Sequence, residues 1–410
     1  MLSAIPRYGA RIVPNTMQTI EAVQARGQLV EGPHVAEFER AFAERVGARH
    51  AVTASYGRMA FWYLLKALDL PQGSEIILPA LTFWVIPELA RAAGLTPVFV
   101  DVDPLYFTLD PRAFERAITP LTSAVVPTHL YGLPCDMSCI LAIARRHGLK
   151  VIEDCAHALG STWCGRPVGA LGDGGFFSFQ LLKPLNTYGG GMAVTNDDDI
   201  AERVRAQACA EQLPTEAEIL KQLWIGRVQR IAIRPRVFSA SLFPVMWSAS
   251  WINANPDVYL WEKIRPLDPL PDGYRRRYTN VQAALGLVGL EHLDRWTADT
   301  IEHAQELGEA LADAGVQTPA MPVNARHVFY QYAMYADDRA SVVRRCLRRG
   351  VDVESLHVDV CTTLPIFGNG HAPTPGAERA AEAIQLPVYA SLRPEQVARV
   401  ASVVREAVGA

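Results

Sequence analysis

The stretch VIEDCAHALGSTWCGRPVGALGDGGFFSFQLLKPLNTYGGGMAVTND, residues 151–197, decides the fold. Residues 150–152 are a short apolar strand that ends on two carboxylates, Glu153 and Asp154. Residues 175–178 and 191–195 read as two further strands, separated by a lone Lys183 and the glycine triplet 189–191. A strand leading into a single lysine, beside another that ends on an acid, is expected to place both groups at one edge of a sheet.

Upstream, the same rhythm continues. Strands are expected at 51–54, 75–78, 97–102 and 123–127, and helices at 35–46, 58–68, 87–93, 111–117 and 135–146. In the first helix Phe38, Phe42 and Val46 share one face. Strands alternating with helices predict an α/β fold with a large, mostly parallel sheet covered on both faces. Ligands bind such sheets at the carboxyl ends of the strands. The polar and glycine-rich clusters 55–57, 82–83, 154–157 and 178–183 all fall there. The segment up to about Pro33, with Pro6 and Pro14, reads as irregular. A long amphipathic helix is expected over 279–296, and a smaller α+β part closes the chain. The expected division is a large α/β domain over 1–250 and a small C-terminal domain over 251–410.

Composition narrows the classes. The 410 residues are half hydrophobic and one-fifth charged, an ordinary globular balance. A net charge of −4 gives no general attraction to nucleic acid, and no nucleic-acid partner is expected. The seven cysteines have no metal-ligand spacing, so no metal is expected and the thiols read as reduced. The N-terminus has no basic region followed by an apolar run, so the expected location is cytoplasmic.

Each candidate residue has a plain reading and a chemical one. Lys183 is either a solvated surface lysine or an amine that forms a Schiff base with an aldehyde cofactor. Asp154 is either a helix N-cap or the partner of a protonated pyridine nitrogen. His157 is either a core histidine or a group beside that ring. The Ser55–Arg58 turn opens a helix, and a helix N-terminus suits a phosphate. Phe83 is either core or a ring stacked on a planar cofactor. Phosphate turn, aromatic residue, acidic strand end, serine and lysine follow one another in that order, and the order is more specific than any member.

That order, with GPHVAEFERAFAERVGARHAV, PVFVDVDPLYFTLDP, RYTNVQAALGLVGLEHLD and LPVYASL elsewhere, resembles the DegT-type sugar aminotransferases of fold type I over nearly the whole chain. The resemblance implies pyridoxal 5'-phosphate as cofactor, with Lys183, Asp154 and His157 as catalytic residues. It implies cofactor contacts from Gly57, Arg58, Phe83, Asp154, His157, Ser178 and Lys183. Arg275, Arg277 and His327 are expected to touch substrate or a neighbouring subunit, because family members are dimers with shared sites. The implied donor is L-glutamate, and the implied acceptor is a keto sugar linked to a nucleotide, or a keto-cyclitol. Three positions depart from the family pattern: His157 where Gln is usual, Arg58 where Thr or Ser is usual, and Arg275 where Asn is usual. The segment SLHVDVCTTLP, residues 355–365, is also altered, which bears on substrate identity. A lysine rather than a histidine at 183 favours transamination over dehydration.

The region of about 212–265 is unusual. Arg227, Arg230, Arg234 and Arg236 precede an uncharged stretch over 237–256, with Trp224, Trp247, Trp251 and Trp261 nearby. Its length approaches a membrane span, but Pro244 and the serines and asparagines argue against a spanning helix. Two readings stand: a surface that docks peripherally on the membrane and serves a lipid-linked acceptor, or a buried dimer or domain interface. Alternatives for the whole chain are a cofactor-dependent dehydratase or epimerase, and a non-catalytic cofactor-binding regulator.

Overall fold

The computed structural model describes residues 3–9, 11–251, 262–355 and 358–409. At its centre is a seven-stranded sheet. In spatial order it runs His50–Ala54, Gly191–Thr195, Gly174–Ser178, Lys150–Asp154, Thr122–Val125, Glu75–Pro79 and Thr96–Val100. Gly191–Thr195 is antiparallel to both its neighbours, and the remaining neighbour pairs are parallel. The α/β reading with a mostly parallel sheet therefore holds. The Glu75–Pro79, Gly174–Ser178 and Gly191–Thr195 strands are buried almost throughout, as expected for a sheet covered on both sides. One apolar cluster joins the Gly57–Leu68 and Val85–Ala92 helices to the sheet through Phe61, Leu64, Trp84 and Leu89. A second, with Phe38, Phe42, Phe177 and Phe179, joins the sheet to the His34–Val46 helix.

Two departures have physical causes. Thr16–Ala25 is helical, where the prolines suggested irregular chain. Pro14 lies outside that helix, and Ile20 and Val23 bury its inner face beside Leu285 of the long helix. The long helix itself runs Asn280–Leu311, well past 296. Its start is held by Gln282, whose side-chain carbonyl accepts from the Thr279 N–H and hydroxyl. Its far end, with Ala304, Leu307 and Leu311, packs in a separate C-terminal core with Val400 and Val404. Ile5 belongs to that C-terminal core too, so the two chain ends pack together.

The unusual region folds as short helices, Glu216–Ala232, Pro235–Ala240 and Leu242–Ala249. The breaks fall at Pro235, which cannot donate to a preceding turn, and at Ser241. Among the described residues no helix is long and apolar enough to cross a membrane. Trp224, Val245 and Trp251 are 65%, 66% and 57% exposed. Trp261 lies outside the described residues.

Candidate active site

Sheet order assembles the site. Gly191 pairs with Ala54 on one side and with Ser178 on the other. This draws the Ser55–Gly57 turn against the end of the Gly174–Ser178 strand. A methyl group on Gly57 would lie 2.9 Å from Ser178 Cβ and 3.0 Å from the Phe177 carbonyl oxygen. One on Gly191 would lie 2.4 Å from the Gly57 nitrogen. Gly189 and Gly190 have φ of 119° and 107°, which glycine adopts without strain. The result is a small cradle between the Ser178 side chain and the first turn of the Gly57–Leu68 helix. The N–H groups of such a turn lack helical acceptors and favour an anion.

Next to the cradle, the parallel strands Lys150–Asp154 and Gly174–Ser178 pair Asp154 with Phe176. Strand alternation sends the two acids to opposite faces. Glu153 points into the core, where it accepts from the backbone of Gly169, Leu171 and Gly172 and bonds the His129 ring. His129, Glu153 and Cys155 lie close together, but that web of bonds marks a structural pin. Asp154 faces the other way. Its Oδ1 accepts from the Ala156 N–H at 3.0 Å, and no helix follows, so this is a local turn and not a helix cap. Its Oδ2 has no partner among the described residues. Burial pushes the Asp154 pKa up to about 6, against the lowering effects of the Ala156 N–H, Lys183 and His129. The carboxylate is still mostly ionised at neutral pH.

After Ser178 the chain turns back, with the Lys183 N–H bonded to the Gln180 carbonyl. The Lys183 side-chain amine has no hydrogen bond or ion pair among the described residues. Its Nζ lies 5.0 Å from the centre of the Tyr330 ring. Burial pulls its pKa down to about 8, Asp154 and Glu354 pull it up, and Arg58 adds to the lowering. Tyr330 also stacks on His157, with ring centres 4.2 Å apart. Tyr330 is thus a site residue that no spacing in the sequence announced. Glu354 is another: it is buried and accepts from the Tyr8 hydroxyl and from Gln331.

Arg58 does not stand free beside the cradle. It makes a two-pronged pair with Glu262, at 3.0 and 2.9 Å, and bonds the Tyr274 hydroxyl. The Tyr56, Phe83 and Tyr274 rings surround its guanidinium at 4.8 to 5.6 Å. Burial alone would lower the Arg58 pKa, but Glu262 and Tyr274 together outweigh it and the pKa is raised. Phe83 is therefore at the same edge of the site.

Three expected residues are not brought to this cluster within the chain. Arg275 is exposed and pairs with Glu211 at 3.2 Å. Arg277 pairs with Glu31 at 3.7 Å. His327 is buried, stacked on Phe329 at 4.0 Å, and its Nδ1 accepts from the Phe329 N–H. Burial pulls its pKa down to about 3, so it is neutral. It anchors the segment from which Tyr330 projects. In the altered 355–365 segment, Leu356 and His357 lie outside the described residues.

Residues 11–230 and 250–405 match the DegT/DnrJ/EryC1/StrS aminotransferase family. The chain is 32% identical over 405 residues to the "Pleiotropic regulatory protein" of Geobacillus stearothermophilus, covering 97% of this chain and 95% of the relative. It is 33% identical over 382 residues to the "GDP-perosamine synthase" of Caulobacter vibrioides, covering 90% and 88%. Among solved structures, DesV of S. venezuelae, determined in complex with a ketimine intermediate, shares 28% identity. It superposes with a TM-score of 0.77 over 98% of each chain.

Proposed function

The chain belongs to the DegT/DnrJ/EryC1/StrS aminotransferase family, and on that premise we propose that it transfers an amino group from L-glutamate to a nucleotide-linked keto sugar. The observation that carries this reading is an unpartnered Lys183 amine across from the unpartnered Oδ2 of Asp154, beside the cradle at Gly57 and Ser178. Pyridoxal 5'-phosphate fits these three features. It presents an aldehyde, a ring nitrogen that is basic, and a phosphate.

When bound, the cofactor supplies an aldehyde for amines and a ring that takes up an electron pair. The Gly57 turn and the Ser178 hydroxyl hold the phosphate. Asp154, still mostly ionised, would hold the ring nitrogen protonated. Lys183, with its lowered pKa, presents a useful fraction of neutral amine near neutral pH. With the cofactor bound, Lys183 Nζ would be the group placed to take a proton from the donor's α-carbon and to give one back. Phe83 and His157 flank the ring. Arg58 contributes positive field, shared with Glu262. Arg275 and Arg277, turned away from Lys183 in their own chain, reach the neighbouring site of a homodimer. His327 positions Tyr330.

The test is direct. Holoenzyme mixed with L-glutamate should lose its aldehyde-form absorbance and release one 2-oxoglutarate per site. A dehydratase or epimerase would not do this, nor would a cofactor-binding regulator, the reading that the name of the Geobacillus relative invites. Unchanged absorbance at millimolar glutamate would overturn the proposed donor.

A second reading, for the acceptor alone, rests on the exposed Trp224, Val245 and Trp251, with Arg227 on the same helix as Trp224. Aromatic and basic residues together suit an anionic membrane surface, and the acceptor would then be lipid-linked. On this reading the protein floats with anionic liposomes at low salt and is released at high salt. Absence from the lipid fraction at low salt would leave the soluble, nucleotide-linked acceptor, with these residues then covered at an interface.

A further inference from the structure

Behind Tyr330 lies a cleft lined by Arg7, Tyr8, Arg11, Pro184, Tyr330 and Glu354. The charges in it are treated unequally. Arg7 is neutralised by Asp352, with bonds of 2.9 and 2.7 Å. Glu354 accepts from Tyr8 and Gln331. Arg11 has no carboxylate partner among the described residues. It donates to the carbonyl oxygen of Pro184, the residue after Lys183, at 3.0 Å, and reaches the Thr300 hydroxyl only at 3.5 Å.

A half-buried guanidinium without a counter-charge is less favourable than a paired one, and proteins ordinarily pair it. A carbonyl and a hydroxyl satisfy part of its five-donor fork and none of its charge. Arg58 shows the contrast: with Glu262 beside it the pKa rises, whereas burial pulls that of Arg11 down to about 10. The remaining N–H groups of Arg11 suit a planar anion bound through two oxygens.

We propose that Arg11 is the receptor for a carboxylate of the amino donor, a site that lies one residue from the backbone of Lys183. This rests on the aminotransferase reading above. The charge layout favours an amino acid over a diphosphate. Arg11 and Glu354 line the same cleft with opposite charges, and the negative charge of Glu354 is close enough to Lys183 to raise its pKa. A zwitterion matches that polarity, with its carboxylate on Arg11 and its amine toward Lys183. A multiply charged diphosphate would meet Glu354.

The test uses cofactor-loaded wild type, Arg11→Gln and Arg11→Lys. Glutarate, a dicarboxylate with neither amine nor ketone, probes binding by calorimetry. L-glutamate and L-glutamine probe the first half-reaction by absorbance. Arg11→Gln should keep the wild-type cofactor spectrum and lose glutarate binding. Its half-saturating glutamate concentration should rise about thirtyfold, with a smaller change in maximal rate. Arg11→Lys should recover part of the affinity. An equal loss for glutamate and glutamine assigns the α-carboxylate; a loss confined to glutamate assigns the side-chain carboxylate. Unchanged glutarate binding and glutamate saturation in Arg11→Gln, or a defect confined to the acceptor half-reaction, would overturn the proposal. If wild type itself does not react with glutamate, the donor reading fails, and Arg11-dependent glutarate binding still decides the site. If Arg11→Gln does not fold, Arg11→Lys decides it by the same measurements.

Discussion

Lys183→Ala is expected to bind pyridoxal phosphate without a covalent bond and to lose transamination by about 10⁴-fold, the upper range for removal of a proton-transferring group. Lys183 is the one residue proposed both to hold the aldehyde and to move the proton, so both readouts should fall together. Borohydride treatment of loaded wild type should fix the cofactor to the peptide that carries Lys183, and should fix none to the variant. In wild type the rate of cofactor capture should rise with pH, because only the neutral amine attacks. The midpoint should fall near 8, where burial holds the Lys183 pKa, well below the ~10.4 of an ordinary lysine. Equal covalent labelling of the alanine variant would move the reactive lysine elsewhere. A midpoint at the ordinary value would mean that Lys183 is solvated.

Asp154→Asn should cost about two to three powers of ten in the glutamate half-reaction. The substitution preserves shape, and the new side-chain oxygen can keep the Ala156 N–H bond that Oδ1 now accepts at 3.0 Å. It removes the charge. Taking one partner from a buried ion pair costs about 3–5 kcal/mol, and each 1.36 kcal/mol is tenfold in rate. Cofactor should still be captured by Lys183, so the defect should appear after loading, with weaker retention on dialysis. A rate within about threefold of wild type would show that Asp154 does not hold the ring nitrogen charged.

Much of the architecture was legible because it depends on local patterning. Short apolar runs alternating with amphipathic helices leave few options but a covered parallel sheet, and each expected strand appears within a few residues of its place. The Thr16–Ala25 helix was missed although Ile20 and Val23 carry its period, because three nearby prolines outweighed a short pattern. The placement of the candidate residues Asp154, Lys183, Ser178 and Gly57 near one sheet edge was legible because each sits at or just past a strand end or at the start of a helix. His327 was read as a contact residue, and the structure places it in the interior as a support for Tyr330.

The sequence by itself determined the class of fold, the order of the strand-end groups and the candidate lysine and acid, since these follow from backbone period and from the chemistry of single residues. Tertiary structure alone decided which charges are spent and which are left over. Arg7, Arg58 and Arg11 look alike in the chain, yet Asp352 takes the first, Glu262 the second, and no described acid the third. The partners stand hundreds of residues away, and an ion pair depends on distance in space, which no spacing along the sequence encodes.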